Sequence, residues 1–182
     1  MGREIRMVPA NWDHPQVLRR NGEMGYQPMF DSSFGDAAKE WKEAFVKWEA
    51  GERPDYYTID EENPNPEYWE YSGDPPDRKY FRPWRDEEAV WYQVWETVSE
   101  GTPVSPPFAT KEELIEYLVA NGDFWDQSRR AEQRRGRQIC MNCEPWSRKQ
   151  AEAFVNGPGW APSMVMDAGG FRSGVEALAD QK

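Results

Sequence analysis

Prolines at positions 54, 64, 66, 75 and 76 constrain this chain more than any other feature. A proline lacks the backbone donor and clashes with the preceding helical turn, so neither a long helix nor a central strand can run through the stretch they occupy. Residues 54–84 are therefore expected to form an extended acidic Pro/aromatic loop within one domain spanning residues 1–182. Its centre, YYTIDEENPNPEYWEYSGDPPD over residues 56–77, holds seven carboxylates and five aromatics but no Lys or Arg. Such a stretch is either a solvated loop whose tyrosines pack back on neighbouring helices or a face built to be gripped by something basic.

Helical spacing flanks the loop. In DAAKEWKEAFVKWEAG, Ala37, Trp41, Ala44, Phe45 and Trp48 share one stripe, Asp36 is placed to cap the start and Gly51 follows the end. RDEEAVWYQVWETVSEG sets Trp91, Val94, Trp95 and Val98 on one face behind three acids, which predicts a helix beginning near Asp86. Thr110 and Glu113 have capping-box spacing ahead of Leu114, Ile115, Leu118 and Val119, with Gly122 as the stop. Ser147 and Gln150 repeat the device, with Gly157 ending that helix. The segment WAPSMVMDAGGFRSGVEAL predicts a β-hairpin turning at Asp167 to Gly170. The expected class is α+β: a mostly helical single domain with a short antiparallel hairpin near the C-terminus and a long Pro-rich acidic loop.

Only 38% of the residues are apolar, yet ten Trp, eight Tyr and eight Phe bring large buried area per residue, so aromatics are expected to carry much of the core. The formal net charge of −11 disfavours nucleic acid or an anionic membrane as a direct partner, since both reward a basic face. It permits a basic protein surface. The N-terminal MGREIRMVPANWDHPQ lacks the apolar run of a signal peptide, and no segment approaches the length of a membrane span. Cys140 and Cys143, three apart, cannot close a useful disulfide loop, which points to a reducing compartment.

Catalytic chemistry is sparsely supplied. His14 is the one histidine, set in a Pro-rich segment and expected as a surface or turn residue, so any Ser–His or Cys–His constellation would have to use it. The CMNC sequence is half of a zinc ribbon, but tetrahedral zinc needs two more ligands and no second CxxC or HxxxH exists. No metal, cofactor or catalytic residue is therefore expected, and a small enzyme or metal protein using His14 or Cys140 and Cys143 is the lesser alternative. Arg129, Arg130, Arg134, Arg135 and Arg137 form the only basic cluster. They either bind phosphate or pair with the protein's own acids, and the overall charge favours the second.

Three strings, YQVWETVSEGTPVSPPFATKEELIEYL, MNCEPWSRKQAEAFV and GWAPSMVM, taken in that order, resemble a family of small acidic proteins of tailed bacteriophages. The resemblance spans roughly residues 8 to 175 and implies a phage origin and a host bacterial cytoplasm as the working site. It implies no activity, cofactor or catalytic residue. Cys140 departs from the family pattern, in which only the position of Cys143 is usual.

Phage resemblance and acidity together suggest a non-enzymatic inhibitor. It would bind a host nucleic-acid-handling defence complex, of anti-CRISPR or anti-restriction type, with carboxylates spaced like phosphates in a basic groove. DNA offers about one charge per 1.7 Å of axis. The residues expected to bind the partner are Asp60, Glu61, Glu62, Glu67, Tyr68, Trp69, Glu70, Tyr71 and Asp74, the carboxylates steering and the aromatics anchoring. A virion or assembly component making subunit contacts through the same loop is the main alternative.

Overall fold

The computed structural model describes residues 2–98, 100–139, 143–167 and 170–180. In chain order the elements are strands β1 (Arg3–Val8), β2 (Gln16–Leu18), β3 (Met24–Tyr26) and β4 (Phe30–Ser33), helices α1 (Phe34–Glu49) and α2 (Tyr68–Ser72), strands β5 (Phe81–Arg82) and β6 (Trp91–Glu96), helices α3 (Lys111–Asn121), α4 (Phe124–Arg134) and α5 (Arg148–Val155), strands β7 (Trp160–Ala161), β8 (Met164–Asp167) and β9 (Gly170–Ser173), and helix α6 (Gly174–Ala179). This is an α+β fold with several small sheets. Contacts within the chain separate into two compact units, residues 1–29 with 84–182, and residues 30–83.

The first unit is organised by a three-stranded antiparallel sheet in the order β6-β1-β7, with Arg3 opposite Glu96 and Val8 opposite Trp91. Helices α3, α5 and α6 supply Leu114, Ile115, Leu118, Ala151, Phe154 and Val175, which pack with Val94 and Val104 into the main core. Leu114, Leu118 and Phe154 are wholly buried, each contributing roughly 1.5–3 kcal/mol relative to exposure. Thr110 Oγ1 accepts from Glu113 N at 3.2 Å and Glu113 Oε2 accepts from Thr110 N at 3.1 Å, so the capping box forms as expected. Gly122, at φ 66°, ends α3 in a conformation that suits glycine, and its N–H reaches Leu118 O at 2.8 Å. Ser147 and Gln150 start α5 in the same way. Hairpin β8–β9 pairs Met164 with Ser173 and Asp167 with Gly170, as the sequence predicts; its tip, 168–169, lies outside the described residues.

The expected helix from Asp86 is not formed. Asp86–Glu88 make a single 3-10 turn, closed by Glu88 Oε2 accepting from Arg85 N at 2.8 Å, and the chain then enters β6. Strand β6 pairs with β1 on one side and bridges Pro103 and Phe108 on the other, so Gln93, Val94, Trp95 and Glu96 are all buried. A strand covered on every side shows a continuous buried run instead of alternation, and its aromatic and β-branched residues fit a strand better than a helix. The helical stripe at 91, 94, 95 and 98 is a coincidence of that run.

In the second unit, α1 covers the expected stripe, with Trp48 buried and Ala37, Trp41, Ala44 and Phe45 half-buried, but its cap is Ser33 and not Asp36. Ser33 Oγ accepts from Asp36 N at 3.2 Å, and the helix begins three residues earlier. Residues 54–84 are not extended throughout. Between Pro66 and Pro75 there is room for one helical turn, which becomes α2, started by Glu70 Oε2 accepting from Glu67 N at 2.9 Å. A 3-10 turn at Arg78–Tyr80 leads into β5, which pairs in parallel with β4.

Candidate functional site

In the unit formed by residues 30–83, aromatic packing sets which side chains can meet a partner. Tyr68 lies edge-on to Trp41 with centroids 5.1 Å apart and also contacts Phe45 and Trp48. It is 6% exposed. Trp48 stacks on Tyr71 at 4.6 Å, donates from Nε1 to Pro66 O at 3.1 Å, and carries the Arg53 guanidinium 3.8 Å above its ring. Trp41 Nε1 donates to Gly73 O at 3.3 Å. These bonds tie the acidic segment back to α1 and fix its path.

The expected partner-binding set is therefore divided. Tyr68 serves the unit's own core and is not available as an anchor; this corrects the sequence reading. Trp69, the next residue on the same turn, is 46% exposed, and Tyr71 is 38% exposed with one face on Trp48. Desolvation and the adjacent Tyr56 hydroxyl hold the Tyr71 phenol above its ordinary pKa. Asp60, Glu61, Glu62, Glu67, Glu70 and Asp74 are all exposed. Asp60 Oδ1 accepts from Glu62 N at 3.0 Å, and Glu70 Oε2 also accepts from Asn63 Nδ2 at 3.2 Å, so these two shape the loop as well as charging it. The seventh carboxylate, Asp77, is neutralised by Lys79 Nζ at 2.7 Å. Among the described residues none of the other six forms an ion pair with a Lys or Arg.

Residues 30–83 hold 14 of the chain's 33 acidic residues against 7 of its 22 basic ones, so the acidity is concentrated here. Sequence reasoning left Tyr56 and Ile59 out of the set, although they are 80% and 69% exposed on the same loop. Their position between Pro54 and Pro64, outside any helical stripe, is the signal that could have found them.

His14 belongs to the other unit and is not a surface residue. It is 5% exposed, accepts at Nδ1 from Trp12 Nε1 at 3.1 Å and lies 2.7 Å through Nε2 from Gln27 O. Trp95 and Tyr26 meet the ring edge-on. Donation by Trp12 into Nδ1 and acceptance by Gln27 O select the neutral tautomer with hydrogen on Nε2. Both ring nitrogens are thereby engaged within the protein, which suits a core residue. Burial holds the His14 pKa below its ordinary value, outweighing the opposing Gln27 carbonyl, while the nearby Arg6 charge adds to the lowering and Asp13 opposes it more weakly. The unfolded chain therefore takes up the proton first as pH falls, and stability should drop below about pH 6.5. Melting temperatures compared at about pH 7.5 and about pH 5.5 should fall more for the native chain than for His14→Gln; equal falls would discard this role.

Cys143 is buried, with Sγ 3.2 Å from Gln133 Oε1, while Cys140 lies outside the described residues. Among the described residues no group of three or more His, Cys, Asp or Glu could hold a metal ion. The arginines of α4 and its C-terminal end are largely engaged by the protein itself. Arg129 pairs with Asp126 at 3.6 Å, Arg135 and Arg137 both reach Glu132, and Arg130 donates to the Asn121 and Cys143 carbonyls. Burial and the neighbouring Asp123 carboxylate raise the Asp126 pKa, although Trp146 Nε1 donates to it at 2.9 Å. That carboxylate pair closes the α4 N-terminus, where Asp123 Oδ1 accepts from Asp126 N at 2.9 Å.

Comparison with protein-family models, with curated proteins and with solved structures gives no match. Among the described residues no helix is long and apolar enough to cross a membrane.

Proposed function

We propose that this is a phage-encoded, non-enzymatic protein that works by binding a basic surface on a host nucleic-acid-handling defence complex in the bacterial cytoplasm, and inhibits it. The observation carrying this reading is the exposed stretch of residues 56–74, which among the described residues carries six carboxylates without a cationic partner together with the exposed Trp69, Tyr71 and Tyr56. An isolated surface of one sign steers association with the opposite sign, and exposed aromatics supply the area that slows dissociation. The sequence resemblance to tailed-phage proteins supports the origin, and the engagement of His14 and of most α4 arginines within the protein favours binding over catalysis.

Capture from host lysate identifies the partner, and charge reversal tests the face. Replacing Glu61 and Glu62 by Lys should slow association several-fold and flatten its dependence on salt, leaving the melting temperature unchanged. Glu70 is excluded from the set because it starts α2. A charge-reversed protein that binds at the native rate and inhibits fully would remove this face from the function.

A further inference from the structure

A concave surface lies within the other unit, remote in sequence from the acidic stretch. It is a cleft of about 410 Å³, within the range of small-ligand pockets. The hairpin of β2 and β3 forms one wall through Arg19, Met24, Gly25 and Tyr26, and the first turn of α4 forms the other through Phe124 and Trp125. Tyr26 and Phe124 lie nearly parallel, 14° apart with centroids at 6.2 Å. Trp125 Nε1 donates to the buried Glu96 carboxylate at 3.2 Å, which fixes that ring from behind. The cleft thus offers aromatic side chains, with Gln16, Thr102 and Ser128 also in its lining.

Arg19 supplies the charge. Its side chain lies against the Gly25 backbone so closely that a Cβ at position 25 would fall 2.0 Å from Nε. Yet among the described residues the guanidinium has no carboxylate or carbonyl partner. Arg19 is exposed, so its forked donors face solvent and are free to take an acceptor from a ligand. One arginine matches one carboxylate in a bidentate pair. A multiply charged phosphate would meet the repulsion of a chain with net charge −11.

We infer that this cleft is a binding site for a small aromatic carboxylate, its ring lying on Tyr26, Phe124 and Trp125 and its carboxylate held by Arg19. Gly25 is the positioning residue, since only its missing side chain lets the guanidinium lie at the mouth of the cleft.

Titration of the full chain with 2-naphthoate, followed by assigned amide and indole NMR signals and by calorimetry, tests the site. Shifts should concentrate at Tyr26, Gly25, Phe124 and the Trp125 indole. The neutral 2-naphthamide and the non-aromatic hexanoate should each bind about tenfold more weakly or worse, the first for lack of the charge and the second for lack of the ring. Arg19→Ala should lose the same factor for naphthoate and none for naphthamide. Gly25→Ala is informative because its backbone needs no positive φ and only the flexible end of Arg19 must move. It should keep the native melting temperature and reproduce the Arg19→Ala loss. Absence of naphthoate shifts at millimolar concentration, equal binding of acid and amide, or a silent Arg19→Ala would each overturn the assignment.

Discussion

Asp123→Ala is expected to destabilise the protein by about 3–5 kcal/mol, the largest effect of any single polar replacement in the first unit. Asp123 is wholly buried and accepts from the guanidinium of Arg3, itself only 8% exposed. Removing the carboxylate takes away the counter-charge that pairs directly with a buried cation, and the desolvation cost of that cation is then less fully offset. The same carboxylate caps α4, so about 1 kcal/mol of helix stability goes with it. A fall in melting temperature of about 10 °C or more is the corresponding calorimetric signal. Asp123→Asn, which keeps a capping oxygen but not the charge, should fall between. By contrast Arg148, half-exposed amid Glu112, Glu116 and Glu152, should be replaceable by Ala with no measurable change. Were the Asp123 and Arg148 variants equally stable, the buried pair would not be organising this end of α4.

How much of this was legible in the sequence depends on how local each cause is. The capping boxes at Thr110 and Ser147 and the hairpin at 164–173 are written within a few residues, and all three form as expected. Strand β1 was not visible because its inward charges hide the pattern: Arg3 and Arg6 interrupt any apolar alternation, and their partners are Asp123, 120 residues away, and Met29 O, 23 residues away. Strand β6 was misread for a different reason, since cover on both sides buries Gln93, Val94, Trp95 and Glu96 in succession and leaves no period of two. His14 looked exposed because a Pro-rich context predicts a turn, whereas the tryptophans that bury it come from positions 12 and 95. The acidic face was legible as composition, but which of its aromatics point outward depends on α1, some twenty residues upstream.

That distinction makes the Tyr68 and Trp69 pair decisive for the proposed function. The two residues are adjacent on one helical turn, yet one faces Trp41, Phe45 and Trp48 and the other faces solvent. Tyr68→Ala should empty the centre of the aromatic cluster and cost about 3–5 kcal/mol of stability in this unit, by lost burial and a residual cavity. Any binding defect it shows would then follow from the loosened scaffold. Trp69→Ala should shift denaturant and thermal midpoints far less than Tyr68→Ala, because Trp69 is 46% exposed where Tyr68 is buried. If Trp69 anchors the partner, its removal should raise the dissociation rate about 30-fold, equivalent to about 2 kcal/mol, with association hardly altered. Charge reversal at Glu61 and Glu62 should do the reverse, slowing association with little change in dissociation. Steering and anchoring are thereby separated on one face by two measurements, unfolding and binding kinetics with the captured partner. A Trp69→Ala protein with native stability and native dissociation would place the anchor elsewhere and reduce residues 56–74 to a solvated acidic loop.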